Sequence, residues 1–345
     1  MNSQVHQNVS LPFHLMAKPI GPICNLDCHY CYYLKKEQLY PGRRQWQMSM
    51  ECLASFIRQY IESQPPSTTE VTFAWQGGEP TLLGIPFFQS CLTLQQQYAR
   101  PGTVIHNTIQ TNGTLIDSDW CRLFREHKFL VGLSIDGPRE MHDAFRVDRS
   151  GHPTHQNVLR ALKLLQRWNV DFNALVTVHR ANGNDGSRVY RYLCDTGVTF
   201  LQFIPIVEQE QNSSVHTTTN ATVAAEKAPA VSTPQFGTPA SFVTDRSVTP
   251  EQWGQFLCDI YDEWIRQDVG RVFVQIFDQM LSAVLGIEPS LCIFRRTCGR
   301  ALAVEHNGDV YCCDHFVDAD HLLGNLTTQP LAELVNSPRQ QSFGA

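Results

Sequence analysis

The segment that decides the fold runs from Phe13 to Cys31 and reads FHLMAKPIGPICNLDCHYC. Its first half, Phe13–Ile20, is mostly apolar and predicts a β-strand. Its second half carries three cysteines in the spacing C-x3-C-x2-C, at Cys24, Cys28 and Cys31. Three thiolates in one loop can hold three irons of a [4Fe-4S] cubane, which leaves the fourth iron without a protein ligand. A structural zinc site is the alternative, and it would need a fourth ligand such as His29.

Beyond this loop, short apolar runs alternate with longer amphipathic ones. The predicted strands are Val71–Trp75, Ile105–Gln110, Phe129–Ile135, Phe172–Val178 and Phe200–Ile206. The predicted helices are Met48–Glu62, Val158–Trp168 and Pro250–Gln267. This alternation predicts a parallel sheet with right-handed crossovers, and six units are too few for a closed eight-stranded barrel. We therefore expect an α/β fold, a partial (β/α)6 TIM-like barrel with its chemistry at the C-terminal ends of the strands.

Composition narrows the function. The 345 residues carry a net charge of −6 and no block of Lys or Arg, so we expect neither nucleic acid nor membrane as a partner. The polar N-terminus is unlike a signal peptide, and the expected location is the cytoplasm. Twelve cysteines in a reducing compartment point to metal or redox chemistry where they cluster. Isolated cysteines are expected to be small buried side chains, at Cys52, Cys91, Cys121, Cys194 and Cys258.

A second motif, Gln76-Gly77-Gly78-Glu79-Pro80, follows the strand Val71–Trp75. Glycines let a backbone approach a ligand closely, and a glutamate suits a cationic amino group; a plain Gly-Gly turn is the alternative. With the cysteine spacing and the aromatic Tyr30, this pattern resembles the radical S-adenosylmethionine (SAM) superfamily. The resemblance implies that SAM binds the open iron of the cluster and is cleaved to a 5′-deoxyadenosyl radical.

The resemblance also implies further SAM contacts. Ser134, before Asp136-Gly137-Pro138, corresponds to a residue that bonds the SAM ribose, and Arg146 to one at the charged end of SAM. Leu201 corresponds to an apolar wall against the adenine, although packing in the core explains a leucine equally well. The implied cofactor-binding set is Tyr30, Gly77, Gly78, Glu79, Ser134, Arg146 and Leu201.

The C-terminal region contains a second group of cysteines, at Cys292, Cys298, Cys312 and Cys313. The stretch Val304–Tyr311 predicts a hairpin with an Asn-Gly turn. This order resembles the SPASM extension, and the string Cys313-Asp-His-Phe resembles that of the anaerobic sulfatase-maturating enzymes. The resemblance implies oxidation of a Cys or Ser of a sulfatase to Cα-formylglycine, with flavodoxin or ferredoxin as an electron donor.

Several residue roles follow from that resemblance. Cys292, Cys298 and Cys313 are the implied ligands of an auxiliary [4Fe-4S] cluster, with Cys313 chosen over Cys312. Asp314 takes the position of the general base, and a turn cap is its alternative role. A carboxylate beside an anionic cluster would have a raised pKa, which suits a base near neutrality.

The organisation of the chain leaves alternatives. We expect a partial barrel over 1–207, a flexible insertion or linker over 208–249 (Ser, Thr, Ala and Pro dominate it) and a helical linker with an incomplete SPASM extension over 250–345. The sequence ends at Ala345, before the family's further cysteine-rich stretch, so one stable cluster and weak turnover are expected. Another SPASM peptide-modifying enzyme, or an inactive fragment that still binds a cluster, are the alternatives.

Overall fold

The computed structural model describes residues 9–208 and 243–345. A run of parallel strands forms its centre: β1 (His14–Lys18), β2 (Glu70–Trp75), β3 (Val104–Thr111), β4 (Leu130–Ser134), β5 (Phe172–Val178), β6 (Phe200–Pro205) and β7 (Phe273–Val274). Each of these strands pairs with the next in parallel. The predicted α/β partial barrel is confirmed, and its strand ends gather the motif loops at one edge.

Three further strands come from the C-terminal region: β8 (Ala301–Glu305), β9 (Asp309–Tyr311) and β10 (Leu322–Asn325). Strand β8 pairs in parallel with β1, whereas β9 and β10 continue the sheet in antiparallel fashion. Strands β8 and β9 form the predicted hairpin around Asn307-Gly308. The order across the described sheet is therefore β10-β9-β8-β1-β2-β3-β4-β5-β6-β7.

Helices connect and cover the strands of the described ranges. They are α1 (Met50–Ser63), α2 (Gly84–Tyr98), α3 (Ser118–Glu126), α4 (Arg139–Asp143), α5 (His155–Arg167), α6 (Gly186–Asp195), α7 (Pro250–Gln267), α8 (Gln275–Val284), α9 (Leu331–Val335) and α10 (Pro338–Gly344). Helix α1 begins after Ser49, whose hydroxyl accepts a hydrogen bond from Cys52 N. Helix α7 matches its predicted bounds because a capping box of Thr249 and Gln252 fixes its start.

The core lies between the sheet and its helices. On α1, Phe56 and Tyr60 are fully buried and pack against Phe73 and Trp75 of β2. Burying an apolar side chain of this size stabilises the fold by roughly 1.5–3 kcal/mol. The sheet is thus a rigid platform beneath the loops at its C-terminal edge.

The isolated cysteines behave as predicted with one clear exception. Cys52, Cys91 and Cys121 are buried, and Cys194 is partly buried. Cys258 is exposed, so its predicted burial was wrong. Helix α7 buries Phe256 and Ile260, and a residue midway between them points to the opposite side of the helix.

Most of the predicted insertion, residues 209–242, lies outside the described residues. The residues that flank this gap are held in place: Arg246 forms an ion pair with Glu208 at 2.7 Å, and Val248 is buried in the core. No helix of the described residues is long and apolar enough to cross a membrane. The predicted division at 207 and 249 remains a prediction, and strands from the last segment join both ends of the sheet.

Candidate active site

The first cysteine group forms a loop directly after β1. The backbone N–H of Leu26 donates to Cys24 Sγ at 3.3 Å, and Asn112 Nδ2 donates to the same sulfur at 3.7 Å. Burial, followed by the nearby Glu79 carboxylate and the Cys28 and Cys31 thiols, raises the pKa of Cys24 to about 12. All three thiols are partly buried in this loop, and Cys28 and Cys31 lie near enough to Cys24 to contribute to its raised pKa.

The donor set fits an iron–sulfur cubane better than a single zinc ion. Nowhere in residues 9–208 or 243–345 do three His, Cys, Asp or Glu side chains converge on a site for one metal ion. His29, the alternative fourth ligand, is exposed and packs edge-on against Phe145 at 6.3 Å between ring centroids. Three neighbouring thiols without a fourth protein ligand are the arrangement that an open cubane requires.

The Gly-Gly motif packs backbone to backbone against the cysteine loop. Gly78 N donates to Gly21 O at 2.7 Å, and Glu79 N donates to Ile23 O at 2.8 Å. Gly77 has a φ of +125°, a backbone conformation that residues other than glycine rarely adopt. The motif is therefore more than a plain turn, because it fixes the position of the cysteine loop.

The Glu79 carboxylate is buried and makes its hydrogen bonds within the protein. It accepts from Thr81 N at 3.0 Å, Thr111 Oγ1 at 2.8 Å and Asn112 N at 2.8 Å. Burial raises the pKa of Glu79, and these hydrogen bonds partly offset that effect. Glu79 thus ties the end of β2 to the turn after β3, a contact for which the sequence carries no local signal.

Asp136, absent from the predicted set, organises the loop after β4. Its carboxylate accepts from Tyr30 Oη at 2.6 Å, from Arg146 Nε at 2.8 Å and from Thr177 N at 2.9 Å. Burial favours the neutral carboxyl, but the charge and hydrogen bonds of Arg146, together with His142 and His179, more than offset it and keep the pKa of Asp136 below its usual value. The charge of Arg146 is thereby compensated inside the protein. The sequence did offer a signal, since Asp136 directly follows a buried strand.

The other two predicted SAM contacts differ in position. Ser134 is the last residue of β4, at the C-terminal edge, and its hydroxyl makes no hydrogen bond within the described part of the chain. Leu201 is fully buried near the N-terminal end of β6, inside the main hydrophobic cluster. The surroundings of Leu201 are those of a core residue.

In the second cysteine group, Cys312 and Cys313 are buried, Cys292 is half-buried and Cys298 is exposed. Burial raises the pKa of Cys313 to about 11, with further contributions from Asp314, Cys298 and Cys292. Burial also raises the pKa of Cys312, but no other cysteine contributes to this shift. Consecutive side chains of an extended segment point to opposite sides, which separates these two neighbours.

A buried lysine links Asp314 to the loop Gln76-Gly77-Gly78 after β2, which the sequence resemblance assigns to SAM and which is called the SAM loop below. Lys18 Nζ lies 2.6 Å from Asp314 Oδ1, and it donates to Gln76 Oε1 at 2.9 Å. The ion pair is close but poorly directed, so Oδ1 is buried without a hydrogen bond among the described residues. The Asp314 side chain makes no hydrogen bond to the described backbone, which is unlike a turn cap. The site thus joins β1, the loop after β2 and the C-terminal hairpin.

Comparison with known proteins agrees with this geometry. Residues 19–193 match the model of the radical SAM superfamily, and residues 292–345 match that of the SPASM iron-sulfur cluster-binding domain. A serine-type anaerobic sulfatase-maturating enzyme of Bacteroides thetaiotaomicron is 41% identical over 100% of this chain and 79% of its own length. A cysteine-type anaerobic sulfatase-maturating enzyme of Clostridium perfringens is 31% identical over 96% of this chain and 82% of its own length.

A solved structure is also similar: native anSMEcpe with bound AdoMet, which is SAM, and Kp18Cys peptide. Its TM-score is 0.79 at 31% identity, with 96% of this chain and 83% of that chain covered. The chain belongs to the radical SAM superfamily and, within it, to the anaerobic sulfatase-maturating enzymes. It is a radical SAM enzyme, and its cofactors are SAM and [4Fe-4S] clusters.

Proposed function

We propose that this chain oxidises a Ser or Cys side chain of a sulfatase to Cα-formylglycine. The observation that carries the proposal is the position of Asp314, the family's base position, beside the Gln76-Gly77-Gly78 loop through Lys18. Relatives at 41% and 31% identity, named as serine-type and cysteine-type sulfatase-maturating enzymes, support it.

The proposal assigns the cofactor to this chain's own residues. Cys24, Cys28 and Cys31 would hold the SAM-binding cluster, with Gly77, Gly78, Ser134 and Tyr30 around SAM; Glu79 and Arg146 would shape the pocket through Thr111, Asn112 and Asp136. When bound, these cofactors supply a 5′-deoxyadenosyl radical that takes one hydrogen atom from the substrate Cβ. Cys292, Cys298 and Cys313 would serve an auxiliary cluster; the thiols of Cys292 and Cys298 both lie near enough to Cys313 to contribute to its raised pKa.

Asp314 is proposed as the general base. The conversion of a serine side chain to an aldehyde removes two hydrogens: one leaves as the abstracted atom, and the other as a proton with an electron. The hydroxyl proton would go to Asp314, and a bound iron–sulfur cluster would take up the electron. With cysteine, water then replaces the sulfur, which leaves as sulfide. Asp314 suits this role because its side chain is still 18% exposed and its second oxygen, Oδ2, accepts no hydrogen bond from the described residues.

The electron that starts each cycle must come from outside the chain. We propose a small reduced protein such as flavodoxin or ferredoxin as the donor, and the cytoplasm as the compartment. The low formal charge of −6 and the cysteine content are compatible with both.

The test uses the anaerobically reconstituted chain with SAM, dithionite and a sulfatase-derived peptide. Three peptides differ only at the target position, which is Ser, Cys or Ala. We expect formylglycine from the Ser or the Cys peptide, detected by mass spectrometry and hydrazine trapping, with 5′-deoxyadenosine formed in proportion. Formation of 5′-deoxyadenosine with every peptide left unmodified would rule out the proposed function.

A further inference from the structure

Lys18 is the last residue of β1, and its side chain is 1% exposed. Its ammonium group contacts three partners: Asp314 Oδ1 at 2.6 Å, Gln76 Oε1 at 2.9 Å and the face of the Tyr33 ring at 4.3 Å from the centroid. These partners come from three separate parts of the chain. A cation that is buried so completely requires compensation by a negative charge.

Asp314 is the one carboxylate within ion-pair distance of Lys18 in the part of the chain that the structure describes. Glu305 is the register neighbour of Lys18 on β8, but its two oxygens are otherwise engaged. One accepts from Tyr33 Oη, and the other lies 3.2 Å from His306 Nδ1. The charge of Lys18 is therefore directed to Asp314.

The ion pair is also the contact that orients the Asp314 side chain. Asp314 is 18% exposed, and neither of its carboxylate oxygens accepts a hydrogen bond from the described residues. Without Lys18, the carboxylate would be free to change rotamer. Because Lys18 also holds Gln76, next to Gly77, it sets the distance between the base and the SAM loop.

We propose that Lys18 is a positioning residue for the reaction: it fixes the Asp314 carboxylate relative to the SAM loop and thereby couples SAM cleavage to substrate oxidation. This inference rests on the proposed function. The ammonium ion holds Oδ1 of Asp314, while the other carboxylate oxygen, Oδ2, is engaged by no described residue. A loss of orientation of about 1 Å near reacting atoms can cost about a hundredfold in rate.

The test compares the full, cluster-loaded chain with Lys18→Met and with Lys163→Met, which changes an exposed lysine of α5. We expect Lys18→Met to lower kcat for formylglycine by roughly a hundredfold with little change in peptide KM. 5′-Deoxyadenosine should still form, so the ratio of 5′-deoxyadenosine to formylglycine rises. Lys163→Met should keep both quantities at wild-type values. A wild-type ratio in Lys18→Met would overturn the inference.

A double-mutant cycle with Asp314→Asn separates positioning from a general structural role. If Lys18 acts through Asp314, the double variant should lose no more activity than the more damaged single variant. Losses that multiply would overturn the inference.

The same four proteins can also be compared by their melting temperatures, a measurement that does not depend on enzymatic turnover. Lys18→Met leaves the Asp314 charge unpaired and should lower the melting temperature, and adding Asp314→Asn should restore part of it. If Lys18→Met fails to fold and Asp314→Asn does not rescue it, the inference is overturned. A wild-type chain that cleaves SAM but modifies no peptide would instead refute the proposed function, and this role of Lys18 with it.

Discussion

Gly78 faces the carbonyl group of Ile23 so closely that a Cβ on Gly78 would lie 1.9 Å from the carbonyl oxygen. No side chain can be accommodated at that distance without movement of the cysteine loop. The close approach of the Ile23 backbone is therefore sufficient to explain why this position is a glycine. It also ties the geometry of the SAM loop to that of the cluster ligands.

We therefore expect Gly78→Ala to destabilise the fold by about 3 kcal/mol or more and to lower iron content after reconstitution. The control is Gly254→Ala on α7, where a Cβ would meet nothing within 4 Å. That change should stabilise the helix by about 0.5–1 kcal/mol. Denaturant unfolding and iron analysis measure both. Normal iron content in a stable Gly78→Ala protein would contradict the close-packing argument.

The cysteine ligands give a second test. Replacing Cys24, Cys28 and Cys31 together with Ala should remove the SAM-perturbed [4Fe-4S] signal and abolish 5′-deoxyadenosine formation under dithionite. Cys258→Ala changes an exposed cysteine on α7 and should leave both unchanged. Electron paramagnetic resonance with and without SAM provides the measurement. Continued SAM cleavage by the triple variant would show that the cluster lies elsewhere.

Asp314→Asn should affect the chemistry more than the cofactor. Loss of a general base typically lowers a rate by 10²- to 10⁴-fold, roughly, so formylglycine formation should fall within about that range. SAM cleavage in the absence of peptide should persist. Asp320→Asn alters an exposed carboxylate nearby in sequence and is the matched control. Equal turnover by the Asp314→Asn and Asp320→Asn variants would exclude Asp314 as the base.

Stability should decline in mildly acidic solution because of two buried histidines. Burial is the main cause that lowers the pKa of His142 to about 3 and that of His179 to about 4. The unfolded chain would protonate both near pH 6.5, while the folded chain keeps them neutral, so each proton favours unfolding below that pH. Asp136 also has a lowered pKa, so it adds to this loss of stability, but only near and below pH ~3.9, where the unfolded chain begins to protonate it.

Each histidine should cost up to about 1.4 kcal/mol of unfolding free energy per pH unit between roughly pH 6.5 and its folded pKa. His142→Gln should flatten this dependence, although it loses the hydrogen bond that Asp136 N donates to Nδ1. Anaerobic denaturant unfolding at about pH 7.5 and about pH 5.5 compares the two proteins. If wild type and the His142→Gln variant lose the same unfolding free energy between these two pH values, His142 is not responsible for the loss.

Much of the fold could be predicted because each parallel strand carries its own signal. A strand buried on both faces is a short apolar run, as in Phe172–Val178, whose bounds were predicted correctly. Helix α5 begins three residues before the predicted Val158, since its first turn contains polar residues that blur the periodicity. The pairing of β1 with β8 carries no local signal, because it depends on residues far apart in sequence.

The residues of the candidate site also divide into those with a local sequence signal and those whose role depends on residues far away in the chain. Cysteine spacing and the Gly-Gly motif are local patterns, and they marked the cluster loop and its neighbour. Asp136 and Lys18 were missed because a buried charge becomes meaningful only when its partner is known. A lysine at the end of an otherwise apolar strand was the available signal for Lys18.

The parallel pairing of β1 with β8 has a consequence for biosynthesis. During translation, one edge of β1 stays without its β8 neighbour until Ala301–Glu305 has left the ribosome, when nearly the whole barrel is already made. An unpaired strand edge can recruit strands from other chains. A nascent chain that stalls between β7 and β8 would thus expose the unpaired edge of β1 close to Cys24, Cys28 and Cys31, and this edge could pair with another chain. Pairing of β8 with β1 covers that edge, and the same C-terminal region places Asp314 next to Lys18.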